Sequence, residues 1–132
     1  MFLLSWPSHA HYGRQLSDVA KGLDYLHSCN LIHGDLKAVR SCPDCCFTVL
    51  TPRKANVLVD VVDDTPRACI AGFGTTIFTR NLDSIRPATR QNIYSPGWSA
   101  PEVIKGSNHT KETDVYSFAM TVIEVQRGLF CV

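Results

Sequence analysis

The stretch HGDLKAVRSCPDCCFTVLTPRKAN runs from His33 to Asn56. Its two ends carry the residue types of a phosphoryl-transfer loop: a carboxylate, Asp35, two residues before an ammonium, Lys37, and later an amide, Asn56. That chemistry depends on positioning and charge neutralisation more than on covalent participation by the protein. The middle does not belong to such a loop. Taken singly, each residue also has a plain structural reading: a turn carboxylate, a solvated lysine and an asparagine at the start of a strand. The middle holds Cys42-Pro43-Asp44-Cys45-Cys46, but a zinc site needs a second ligand pair at metal spacing, and none follows nearby. Only Cys29, His33 or Cys69 could approach it in space.

The elements that must position these residues can be read from the pattern around them. Leu16, Val19, Ala20, Leu23 and Leu26 recur at i, i+3, i+4, i+7 and predict an amphipathic helix over residues 14–28, with Asn30 as a left-handed terminator. Residues 1–13, with Pro7 and Gly13, read as an irregular lead-in. Leu31-Ile32 is a short apolar piece, and residues 38–54 lack a period and hold Pro43 and Pro52, as a loop would. Residues 56–62, NVLVDVV, have strong strand propensity. Asp63-Asp64-Thr65-Pro66 reads as a turn and residues 68–71 as the returning strand of a hairpin. A polar segment from Gly72 to Glu102 follows, long enough to be functional or disordered. A second helix is predicted over residues 114–127, with Ser117, Thr121 and Glu124 as one narrow polar stripe and apolar residues over the rest.

Composition sets the outer limits. At 132 residues the chain holds one small domain, and its 45% apolar content can form a core. Thirteen basic against twelve acidic residues leave a net charge of +1, with no basic patch to suggest a nucleic-acid partner. No apolar run approaches bilayer length, and the opening MFLLSW lacks a cationic start, so neither a membrane span nor a signal peptide is expected. The six cysteines then imply a reduced cytoplasmic setting with free thiols.

In order, Tyr25-Leu26-His27, His33-Gly34-Asp35-Leu36-Lys37, Asn56-Val57-Leu58-Val59, Gly72-Phe73-Gly74, Trp98-Ser99-Ala100-Pro101-Glu102 and Asp114-Val115-Tyr116-Ser117-Phe118 resemble the protein kinase catalytic domain. The likeness covers nearly all of residues 14–127, from the family's central helix to the buried helix beyond the activation segment. It implies an α+β fold: the mostly helical lower lobe of a kinase domain (C-lobe), occupying residues 14–132, with a small β-hairpin, a long activation-type segment and an insertion at 38–54. The implied function is ATP-dependent phosphoryl transfer to a protein hydroxyl, with ATP and Mg²⁺ as cofactors and a protein as substrate or partner. Asp35 would accept the proton of the substrate hydroxyl, Lys37 would steady the phosphate, and Asn56 would hold a metal ion. His33 would pack beneath the loop. Asp114 would hold the loop backbone in shape, or act as a helix N-cap. Glu102 would pair with an arginine beyond the chain or stay exposed. Lys37 points to serine or threonine as acceptor, whereas Trp98-Ser99 resembles the tyrosine-kinase-like branch.

The departures bear on activity. Gly72 stands where the family has the Asp that grips the metal, and losing that carboxylate should cost roughly two to four orders of magnitude in rate. No Gly-x-Gly-x-x-Gly run and no Val-Ala-x-Lys strand occurs, so half of the nucleotide cleft is expected to lack walls. With no further helices after Val132, the second helix should turn apolar sides to water. Gly34 replaces an Arg that in many kinases pairs with a phosphate on the activation segment; Thr75, Thr76, Thr79, Ser84, Thr89 and Ser95 are candidate acceptors, none singled out. Between Asp35 and Asn56 the chain is about sixteen residues longer than the family pattern, which works against their convergence, although loop closure grows costly only slowly with length. A retained short intron or a genuine loop insertion would each explain the excess. These departures imply activity impaired or absent in this chain. The alternatives are a catalytically dead pseudokinase-like binding module and a non-functional fragment.

Overall fold

The computed structural model describes residues 12–38, 55–79 and 95–127. The cysteine cluster at 42–46, most of the 38–54 insertion, Ser84, Thr89 and all but the last two residues of the 1–13 lead-in lie outside these residues.

Helix α1, Tyr12–Ser28, begins two residues before the predicted start. Gln15, Val19, Leu23 and Leu26 form its buried face, as an i, i+4, i+8, i+11 row must, while Ser17, Lys21 and Asp24 face solvent. Asn30 ends the helix at φ 59°, a conformation that asparagine tolerates better than most side chains. The chain then forms β1, Leu31–Ile32.

Strands β2, Val57–Val62, and β3, Thr65–Ile70, make an antiparallel hairpin. Its two-residue turn is Asp63-Asp64, both at positive φ (49° and 57°), the twist that suits a tight hairpin. The return strand starts at Thr65 rather than Ala68, so Thr65 and Pro66 belong to the ladder and not to the turn. A two-stranded ribbon has an open outer edge, where a proline can sit without loss. Strand β3 lies against α1. The approach is close: a Cβ at Gly22 would stand 3.3 Å from Ile70 Cδ1. Val19, Leu23 and Leu36 form the core, with Val57, Ala68, Ile70 and Phe118 packed on it.

After the hairpin a 3-10 turn, Phe73–Thr75, leads to β4, Ile77–Phe78, which pairs antiparallel with β1 (Leu31 with Phe78, Ile32 with Ile77). Helix α2 is the single turn Pro101–Ile104, started by Pro101 at a position where a missing N–H costs nothing. Helix α3, Lys111–Arg127, starts three residues before the predicted Asp114. Thr110 and Thr113 cap it reciprocally: the Thr110 N–H donates to Thr113 Oγ1 (2.9 Å) and the Thr113 N–H to Thr110 Oγ1 (3.3 Å). Asp114 therefore lies inside the first turn and is not the N-cap.

The polar side of α3 faces inward. Thr113, Asp114, Thr121 and Glu124 are buried, whereas Val115, Tyr116 and Ile123 are exposed. The buried polar groups have local partners. Thr121 Oγ1 donates to the Ser117 carbonyl, Ser117 Oγ to the Trp98 carbonyl, and the Trp98 indole N–H to Glu124 Oε2 at 2.8 Å. Each of these bonds offsets part of the cost of burying its polar groups. Among the described residues no helix is long and apolar enough to cross a membrane.

Candidate active site

The segment after β1 carries the first part of the site. Asp114 accepts from the backbone N–H groups of His33 (Oδ2, 2.8 Å) and Gly34 (Oδ1, 2.9 Å) and from His27 Nε2 (Oδ2, 2.9 Å). A carboxylate of α3 thus holds the two residues preceding Asp35, while His27 of α1 ties it to the first helix. His33 is fully buried; its Nε2–H donates to the Ala71 carbonyl (2.8 Å), which leaves Nδ1 to accept the Asp35 N–H (3.3 Å). Phe73 packs edge-on against the same ring. Gly34 is at φ +80°, and a Cβ there would come within 3.1 Å of the Thr75 carbonyl, so the backbone requires glycine. Thr75 Oγ1 also donates to the His33 carbonyl, at 3.0 Å.

Asp35, Lys37 and Asn56 come together despite the long segment between them. The Asn56 N–H donates to the Lys37 carbonyl (3.0 Å) and the Ala71 N–H to the Asn56 carbonyl (2.8 Å), so both ends of the insertion are joined at its base. Asn56 Nδ2 donates to the Asp35 carbonyl (2.6 Å) and to Asp35 Oδ2 (2.9 Å). Lys37 Nζ lies 2.8 Å from Asp35 Oδ2.

Ser95 completes the cluster. Its hydroxyl donates to Asp35 Oδ1 and accepts from Lys37 Nζ, each at 2.8 Å. The turn that aims it is closed by the Trp98 and Ser99 N–H groups and Ser99 Oγ, all of which donate to the Ser95 carbonyl. Trp98 is in turn anchored to α3. In the sequence Ser95 is one of several hydroxyls in a polar segment; only its two contacts mark it out.

The other predicted residues stand apart. Glu102 is exposed on α2. Cys29 and Cys69 are free and exposed, and among the described residues no group of three or more His, Cys, Asp or Glu could hold a metal ion. His33, with both ring nitrogens in hydrogen bonds to the main chain, does not join a zinc site. A divalent cation of the kind that bridges ATP phosphates does not fit the described residues either. Such ions want oxygen ligands, chiefly carboxylates. Of the two positions expected to hold the ion, Gly72 brings no side-chain oxygen, and Asn56 brings one amide oxygen while its Nδ2 donates to Asp35.

A family model for protein tyrosine and serine/threonine kinases matches residues 7–128. Among curated proteins, the chain is 34% identical over 125 residues to the probable serine/threonine-protein kinase drkC of Dictyostelium discoideum, covering 92% of this chain and 14% of that protein. It is 33% identical over 129 residues to the cysteine-rich receptor-like protein kinase 38 of Arabidopsis thaliana (96% of this chain, 16% of that protein). Against the serine/threonine-protein kinase pakG of Dictyostelium discoideum the identity is 33% over 110 residues, 83% of this chain and 8% of that protein. The chain thus spans only a small part of the relatives it matches. The ordered motifs, the loop held by a buried carboxylate and these matches agree: the chain belongs to the protein tyrosine and serine/threonine kinase family.

Proposed function

We propose that the chain is the helical lobe of a kinase domain, residues 14–132, built for phosphoryl transfer from ATP to serine or threonine hydroxyls of proteins, with that activity impaired at Gly72. The observation that carries the reading is a hydroxyl held 2.8 Å from a carboxylate oxygen and 2.8 Å from an ammonium, at Asp35, Lys37 and Ser95. An acceptor hydroxyl placed there could pass its proton to Asp35 as its oxygen attacks the γ-phosphorus and the bond to the β-phosphate oxygen breaks, releasing ADP. Lys37 would offset charge on the transferring group. Serine and threonine are favoured over tyrosine by Lys37 and by relatives named as serine/threonine kinases. The exposed free thiols of Cys29 and Cys69 suit a reduced, cytoplasmic setting.

Impairment follows from Gly72, which supplies no carboxylate to the site. A second reading, a pseudokinase-like binding module, is favoured by the apolar side chains turned outward: Leu58, Val61 and Val115 are each more than half exposed (52%, 63% and 54%). Thermal melts with ATP, with and without Mg²⁺, separate the two. ATP-dependent stabilisation together with phosphate transfer to a serine peptide supports the impaired enzyme. A melting temperature unchanged under both conditions, with no transfer, refutes it in favour of the binding module.

A further inference from the structure

Gly72 lies at φ +78°, and a Cβ built on it would overlap Asn56 Oδ1 and stand 2.5 Å from Asn56 Cγ and 3.2 Å from Asn56 Cβ. The Asn56 amide therefore fills the volume that any larger residue at 72 would need. It cannot withdraw cheaply. Its main chain is bonded on both sides, to Lys37 and to Ala71, and turning the side chain away gives up both hydrogen bonds to Asp35.

We infer that Asn56 and Gly72 form a sterically coupled pair that leaves the loop without a divalent-cation site: with no side chain at 72, the Asn56 side chain occupies that space and donates its amide to Asp35, and one amide oxygen is all that the two positions offer a metal. Restoring a carboxylate at 72 alone does not rebuild a metal site, because the space is taken. The inference rests on the packing of the two residues, whatever reaction the loop performs.

The test is a double-substitution cycle on the 132-residue chain: wild type, Gly72→Ala, Asn56→Ala and both together, unfolded in urea. Gly72→Ala is expected to lower the folding equilibrium constant at least about tenfold more in the wild-type background than in the Asn56→Ala background, since only the first retains the overlap. Folding of Gly72→Ala only when Asn56→Ala accompanies it supports the inference equally. An equal cost in both backgrounds, or failure to fold in both, overturns it. Titration of wild type with Mn²⁺, followed by the electron paramagnetic resonance signal of the free ion, is the second arm. The signal should stay that of free ion; uptake of one Mn²⁺ per chain overturns the inference.

Discussion

Replacing Asp114 tests how the loop is held. Its carboxylate is 1% exposed and accepts two backbone N–H groups, from His33 and Gly34, as well as His27 Nε2. In Asp114→Ala both buried N–H groups lose their acceptor, at about 1–3 kcal/mol each. The pair with His27 adds little, because that ring keeps some access to water. A loss of about 4 kcal/mol is expected, large against the 5–15 kcal/mol typical of a folded domain. With a urea dependence of about 1.5 kcal/mol per molar, the midpoint should fall by about 2.7 M. Asp114→Asn keeps one oxygen for one of the N–H groups and turns an amide donor toward the other, so its cost should be near half, about 2 kcal/mol. The assay is urea unfolding of wild type and both variants, followed by circular dichroism. A loss below about 1 kcal/mol for Asp114→Ala, or an Asn variant as damaged as the Ala variant, would refute the account of a carboxylate clamping two amides.

Other expected outcomes follow from single residues. Leu23→Ala opens the core between α1 and the hairpin and should cost about 2–4 kcal/mol in the same unfolding assay. Gly34→Ala places a Cβ against the Thr75 carbonyl at φ +80° and should destabilise by more than about 1 kcal/mol, with crystallography showing the Thr75 carbonyl displaced. Asp18 is hydrogen-bonded by the Arg67 guanidinium, which holds its carboxyl below the ordinary value of 3.8. Its depressed folded value means that this stabilisation is present above 3.8 and is lost as pH falls through the folded value. The stability gap between wild type and Asp18→Asn should therefore be constant above about pH 5 and vanish in stronger acid. It should stay small throughout, because the guanidinium is half exposed and screened.

What could be read from the sequence was local. The α1 spacing, the left-handed Asn30 and the β2–β3 hairpin follow from neighbours along the chain, and they appear with shifts of two or three residues at their starts. The motif residues of the loop could be named, because their types and order carry the family pattern. What could not be read depended on contacts between distant segments. Strand β1 finds its partner in β4, long after it in the chain. The inward turn of the α3 polar stripe depends on the loop amides and on the Trp98 indole, which no period in residues 111–127 reveals. Ser95 gains its place from a turn anchored on another helix. Gly72 could be read as a missing ligand, but not as the space that Asn56 fills.

The bond between the Lys37 carbonyl and the Asn56 amide works like the crossing point of a drawn noose. Lys37 and Asn56 are fixed to each other by that bond, so the number of residues between them in sequence can change without moving the two points that it anchors. Evolution, or a protein engineer wishing to tether a reporter beside Asp35, could vary that span widely while the geometry on the near side of the knot stays the same.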